Sequence, residues 1–345
     1  MVYNGAKEKN VVMTMKRILV IGTGGTIASK PTQNGLAPAL SANALLEAIP
    51  FAASFCEIEC TQAFSLDSTN IRPGHWLVLA DIIKEKYDDY DGFVITHGTD
   101  TLAYTAAGLS YLIENSRKPI VLTGAQKPMG EDVTDAKQNL IDAITYASDE
   151  KSHNVCVVFN GNVIAGTRAR KNYSKNFAAF ASVNFPCLAQ IQDHRIIRYF
   201  SDEIGGDTAF YNYVDPNVGL IKLTPGMNNN LMRYALECYD GLVIESFGVG
   251  GLPEYSDYFR QVKEAGDRGK LIVMTTQVPN EGSDLSIYKV GALVKENLRI
   301  LEAHDMTSEA ALAKLMWVLG QTSDFEKAKA LFYQPIHHDI LCPEI

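Results

Sequence analysis

Twice in this chain an apolar run stops at a block of glycine and threonine, and a helical pattern follows. Residues 17–21 run into Gly22-Thr23-Gly24-Gly25-Thr26-Ile27-Ala28, and residues 92–96 run into His97-Gly98-Thr99-Asp100-Thr101. Uninterrupted apolar strands are buried on both faces, as in parallel sheets covered by helices on each side. The repetition therefore points to an α/β fold with an open, mainly parallel, doubly wound sheet. Ligands in such sheets bind outside the carboxyl ends of the strands. Two strands ending in bare backbone and a hydroxyl are expected to bring Thr26 and Thr99 around one small molecule.

The alternation continues along the chain. Ser41 caps a helix over 42–49 that Pro50 ends, and 56–64 alternates like a strand. Helices are expected over 73–86, 100–115 and 135–147, and a third buried strand over 119–122. In the second of these helices Leu102, Ala106, Leu109 and Ile113 recur at helical spacing, and Asp100 sits where a carboxylate favours a helix N-terminus. Asn160-Gly161 between two apolar runs marks a hairpin, because both turn positions need positive φ. Periodicity fades from about 190 to 216, and strand–helix alternation then resumes at 218–223, 229–238, 241–245 and 271–275. The expected organisation is a polar extension over 1–15, a catalytic α/β domain over 16–192, a linker over 193–216 and a smaller α/β domain over 217–345.

A net charge of −9 argues against nucleic acid or an anionic membrane as a partner, since both need a basic face. The one tight basic cluster is Arg168, Arg170 and Lys171. No apolar stretch is long enough to span a bilayer, and the apolar run near the N-terminus is too short for a secretory signal. The six cysteines lack the paired spacing of a metal knuckle and are expected as buried thiols, with Cys56, Ile58 and Cys60 on one strand face. Together these features predict a cytoplasmic protein.

The first block departs from a dinucleotide fingerprint: Ile27 stands where the third glycine belongs, and no acidic residue follows at a strand end some twenty residues on. The Gly-Lys-Ser/Thr of a P-loop is absent too. The glycines either make a turn of positive φ or leave bare backbone beside a ligand. Thr26, stiff at χ1, is either a hydrogen-bonding turn residue or a nucleophile, and a nucleophilic hydroxyl needs a partner to take its proton. The second block favours chemistry, because Thr99 and Asp100 lead directly into a helix N-terminus. His97 ends a buried strand without the spacing of a Ser-His-Asp triad.

TGGTIA and HGTDT, in that order and about seventy residues apart, resemble the bacterial-type L-asparaginases. Gly35-Leu36-Ala37-Pro38, Asp67-Ser68-Thr69-Asn70, Thr123-Gly124-Ala125-Gln126, Gly166-Thr167-Arg168, Glu245-Ser246-Phe247-Gly248 and Lys314-Leu315 extend the resemblance to the cytoplasmic, type I branch over roughly 16–335. The resemblance implies hydrolysis of L-asparagine to L-aspartate and ammonia without a metal or organic cofactor. It implies catalytic roles for Thr26, Thr99, Asp100 and Lys171. Substrate-binding positions would be Gly25, Asp67, Ser68, Thr69, Gly98 and Ala125, with the backbone carbonyl of Ala125 meeting the substrate amide. It also implies a homodimer or homotetramer whose sites are completed by a neighbouring chain, with Asp284 and Tyr288 as candidates.

The chemistry can be argued from the residues themselves. A small zwitterion suits a site with one carboxylate and one helix N-terminus, and Asp100 serves better as an anchor for its ammonium than as a nucleophile. Lys171 acts as a base only where it is partly buried. Two departures stand out. Leu36 replaces a loop tyrosine that helps activate the nucleophile in many relatives. Glu245 and Val278 stand where some relatives carry an arginine and a cysteine in a regulatory site, so weak or absent activation by asparagine is expected. Two rival readings share the motifs: the amidase subunit of a tRNA-dependent amidotransferase, and a catalytically silent amino-acid-binding module.

Overall fold

A computed structural model describes residues 15–33 and 35–341. The expectation of a polar extension thus falls, for 1–14, outside the described residues, as do Cys342 and the side chain of Leu36. The first apolar run is strand β1 (Lys16–Gly24), buried on both faces from Ile18 onward. A two-stranded ribbon follows, β2 (Ser29–Thr32) with β3 (Gly35–Pro38). Then come α1 (Ala42–Glu47), β4 (Cys56–Leu66), α2 (Pro73–Lys86), β5 (Gly92–Thr96), α3 (Leu102–Leu112), β6 (Ile113–Glu114), β7 (Ile120–Thr123), α4 (Ala136–Ala147), β8 (Val155–Phe159) and β9 (Asn162–Ala165). Short strands β10 (Ala169–Lys171), β11 (Phe180–Ser182), β12 (Ala189–Gln192), β13 (Arg195–Ile197) and β14 (Ala209–Phe210) complete the first half.

The main sheet has eight strands in the order β13-β12-β9-β8-β7-β5-β1-β4. Strands β4, β1, β5, β7 and β8 are parallel, and the remaining three add as antiparallel pairs. The chain leaves β1 for β4 on one side and returns to β5 on the other. The strand order therefore reverses between β1 and β5, which makes their carboxyl ends the topological switch point where open sheets bind ligands.

Alternate residues of β1 feed opposite cores, as period-two side chains must. Ile18 and Val20 pack with Leu45 of α1 and Leu140 of α4. Leu19 and Ile21 pack with Leu79 of α2 and Leu109 of α3. The second half is a four-stranded parallel sheet of β15 (Val218–Lys222), β16 (Gly241–Ser246), β17 (Leu271–Thr276) and β18 (Leu301–Glu302). Helices α5 (Asn229–Cys238), α6 (Tyr258–Asp267), α7 (Lys289–Asn297), α8 (Ser308–Gln321) and α9 (Phe325–Tyr333) surround it. Helix α8 packs on α3, with Trp317 stacked 6.1 Å from Tyr111, so the two halves share one core. This explains why α3 is buried around nearly its whole circumference rather than on one stripe.

Four local readings need adjustment. Helix α3 starts at Leu102 with Thr101 as its cap, which leaves Asp100 in the turn before it rather than in its first turn. Ile113 belongs to β6, not to the helix, because it pairs with Phe210. The tract 193–216 holds two short strands: β13 extends the main sheet, and β14 pairs with β6. Cys238, expected as a buried thiol, is exposed, because α5 is amphipathic and this last residue faces outward. The Asn160-Gly161 turn has φ of 50° and 73°, the left-handed pair its hairpin requires. Among the described residues no helix is long and apolar enough to cross a membrane.

Candidate active site

Gly25 lies at the carboxyl end of β1 with φ of 76°, a conformation that favours glycine. A methyl group there would meet Gly98 Cα at 2.4 Å. One on Gly98 would meet the Ser68 side chain at 2.7 Å. The ends of β1, β4 and β5 are thus in backbone contact, and only glycine fits at the two crossing points. Thr26 follows in a short 3-10 turn, partly exposed, with the Ser29 hydroxyl donating to Gly25 O at 2.9 Å. Among the described residues no group hydrogen-bonds the Thr26 hydroxyl.

Across the crevice, Lys171 Nζ donates to Thr99 Oγ1 at 2.7 Å and to Asp100 Oδ1 at 2.6 Å. Two of the three ammonium donors are taken, and the lysine stem is largely buried while the Asp100 carboxylate is 58 % exposed. The buried Thr99 hydroxyl donates in turn to Gln126 Oε1 at 3.4 Å. Ser68 secures the second block from the β4 side. Its hydroxyl accepts from the Asp100 N–H at 3.3 Å, and its carbonyl accepts from the Thr101 hydroxyl at 2.7 Å. Asp67 caps the turn into Ser68 by accepting from the Thr69 N–H and hydroxyl at 2.9 and 2.7 Å.

Ala125 is fully buried in the loop after β7. Asp135 fixes that loop from behind: its carboxylate accepts from the N–H groups of Gln126 and Lys127 and from the Asn139 amide, all within 3.1 Å. The Met129 N–H donates to Ile27 O at 3.3 Å, which ties the same loop to the Thr26 turn. Gln126 and Asp135 were not legible as site-building residues. Gln126 ends the Thr123-Gly124-Ala125-Gln126 motif, but one carboxylate collecting three N–H groups is a tertiary arrangement with no local signature.

His97 is fully buried, its Nδ1 beside Gly98 O at 2.7 Å and its Nε2 beside the Thr105 hydroxyl at 3.0 Å. Burial pushes its imidazole down to about 4, so it is neutral near pH 7 and braces the second block. The basic cluster of the sequence is not a surface patch. Arg168 is buried and donates to Asp305 Oδ2 at 2.8 Å, whereas Lys171 turns into the crevice. Glu245 is buried and accepts from the Ser308 hydroxyl at 2.5 Å, while Val278 is exposed. Asp284 accepts from the Ser286 N–H and hydroxyl, and Tyr288 is exposed at the start of α7. Among the described residues neither hydrogen-bonds a residue of this crevice. No group of three or more His, Cys, Asp or Glu side chains among the described residues could hold a metal ion.

Comparison with known proteins bears on the family and the fold. Residues 17–203 match the family model described as Asparaginase, N-terminal, and residues 217–332 match the Glutaminase/Asparaginase C-terminal domain. The L-asparaginase of Thermococcus kodakarensis is 40% identical over 326 residues, covering 94% of this chain and 99% of that protein. A solved structure of the thermostable L-asparaginase from the same organism superposes with a TM-score of 0.88 at 39% identity, over 94% of this chain and 99% of that one. A Glutamyl-tRNA(Gln) amidotransferase subunit of Pyrococcus furiosus is 34% identical over 330 residues, covering 91% of this chain and 74% of that protein.

Proposed function

The chain belongs to the asparaginase family and is an amidohydrolase, and from that premise we propose that it hydrolyses L-asparagine to L-aspartate and ammonia with Thr26 as the nucleophile. The observation that carries this reading is the ammonium of Lys171, bonded to both Thr99 and Asp100 at the strand end where Gly98 touches Gly25. It groups a hydroxyl, a cation and a carboxylate at the strand end that abuts the Thr26 turn.

In this account the substrate ammonium is anchored by Asp100, whose carboxylate is reachable from solvent. Its α-carboxylate lies at the Asp67-Ser68-Thr69 turn, and its side-chain amide donates to the Ala125 carbonyl. Gly25 and Gly98 keep the backbone low enough for the ligand to sit between the threonines. Thr26 Oγ1 then bonds to the amide carbon, the C–N bond breaks, and ammonia leaves carrying the former hydroxyl proton. Water hydrolyses the resulting ester to release aspartate and restore the hydroxyl. Leu36 carries no proton acceptor, so the proton relay is assigned to Thr99 and Lys171, a general acid–base pair held ready by the Asp100 ion pair.

One observation favours a second route for the same reaction. The Thr26 hydroxyl has no hydrogen-bond partner among the described residues, whereas Thr99 is already polarised by Lys171. Attack by a water oriented on Thr99 and Lys171 would leave Thr26 as a binding residue only. The routes separate in hydroxylamine. An acyl-enzyme partitions to aspartyl hydroxamate in proportion to the nucleophile added, with ammonia release unchanged or faster. Direct water attack yields hydroxamate only by competing with water for the amide.

Ammonia release from L-asparagine by the purified protein, in the absence of tRNA, tests the activity itself. Saturable release supports an asparaginase and removes both the amidotransferase reading and the silent binding module. No release from the folded protein overturns the proposal. The site is further proposed to be completed by a neighbouring chain in a homodimer or homotetramer, which sedimentation of the purified protein tests.

A further inference from the structure

Behind the Ala125 loop, away from the threonines, lies a cavity of about 480 Å³ between α4, the Asn160-Gly161 hairpin and the turn after β12. Its lining includes Asp142, Gln138, Asn160, Phe177, Ile191 and His194. Asp142 is only 2% exposed. Gln138 Nε2 donates to its Oδ1 at 2.7 Å, and its Oδ2 has no hydrogen-bond partner among the described residues. That oxygen is not sealed in the core, because Asp142 lines the cavity, and it is left to accept from whatever enters there. Burial pushes the Asp142 carboxyl up to about 6, against the Gln138 hydrogen bond and the more distant His194, which pull it down.

The surroundings do not supply the missing donor. Asp135, in the same wall, is already satisfied by Gln126, Lys127 and Asn139. His194 makes no hydrogen bond to Asp142 among the described residues. Asp193 adds a third carboxylate to Asp135 and Asp142, and no lysine or arginine is among the described residues lining the cavity. Phe177 and Ile191 add apolar surface to the same lining. The lining thus combines carboxylates that lack a cationic N–H donor with apolar surface.

We propose that this cavity binds a primary ammonium group on a short apolar stem, with Asp142 Oδ2 as acceptor and Phe177 and Ile191 beside the stem. The site stands apart from the asparagine reading, because binding is measured on the protein without turnover.

Calorimetric titration of the full chain with n-butylammonium chloride at pH about 8, where Asp142 is ionised, tests it. Tetramethylammonium chloride at equal concentration, a cation with no N–H, is the control. The expected result is saturable binding of one butylammonium per chain and none of the control. Asp142→Asn, which keeps the Gln138 bond, should weaken binding on the order of tenfold or more, as expected for loss of a charged hydrogen bond. Phe177→Ala should weaken butylammonium several-fold and leave methylammonium unchanged, which decides the matter should Asp142→Asn not fold. Heat indistinguishable from the control, or unchanged affinity in the folded variants, overturns the proposal.

Discussion

Gly25 and Gly98, far apart in the chain, meet so closely that a Cβ on the first would lie 2.4 Å from the Cα of the second. This contact joins the two strand ends that carry the threonines, and it has a direct consequence for substitution. Gly25→Ala must both clash with backbone and hold a side chain at φ of 76°. A loss of about 2–5 kcal/mol is expected from overpacking and strain together. Urea denaturation checks it, and a stability within error of the parent would mean that the strand ends are not in contact.

Lys171→Met keeps the length of the stem and removes the ammonium. The Lys171–Asp100 pair is partly exposed, so stability should change by no more than about 1 kcal/mol. Turnover should fall about 10²–10⁴-fold, the range of a lost general acid–base group. Ammonia release alongside a melting curve reads both. Turnover near that of the parent would remove Lys171 from the proton relay.

His97 makes stability depend on pH. Its folded-state value lies near 4, below the ordinary 6.5, because burial opposes the charge. Between those limits the unfolded chain takes up a proton that the folded chain does not. Stability therefore rises with pH across that window and is lost as pH falls toward 4, by on the order of 3 kcal/mol. His337, also buried and pushed down to about 3, adds a contribution of the same sign. Denaturation of His97→Gln at pH about 4.5 and 7 should show a smaller difference than the parent, and an equal difference would contradict the assignment.

A fully buried ion pair of the second half is tied to the first half through Tyr111. Lys314 on α8 donates to Asp339 Oδ2 at 2.6 Å, and Tyr111 on α3 donates to the same oxygen at 3.0 Å. Removing one partner strands a charge in the core. Lys314→Met should cost about 3–5 kcal/mol, and the double variant Lys314→Met with Asp339→Leu should recover part of that loss. A single substitution costing under about 1 kcal/mol would contradict this.

The residues that were legible in advance share one property: their signal is local. An apolar run ending in Gly-Thr already implies a strand buried on both faces with a hydroxyl at its edge, which is why β1 and β5 could be placed. Asn160-Gly161 implies its hairpin by the same local logic. What was not legible depends on partners distant in the chain. The Asp135 clamp on Gln126 exists only once α4 packs behind β7. Phe210 draws Ile113 out of α3 only because β14 returns to it. Cys238 is exposed because of where α5 lies on its sheet, which no spacing of cysteines encodes. The unpartnered oxygen of Asp142 likewise becomes visible only when the hairpin closes over α4.

The most direct measurement is a structure of the protein with L-aspartate bound. Both the Thr26 and the Thr99 hydroxyl are expected within about 3.5 Å of the side-chain carboxylate of the ligand, with its ammonium beside Asp100. An aspartate bound in this crevice with only one of those hydroxyls in reach, or seated elsewhere, would contradict this.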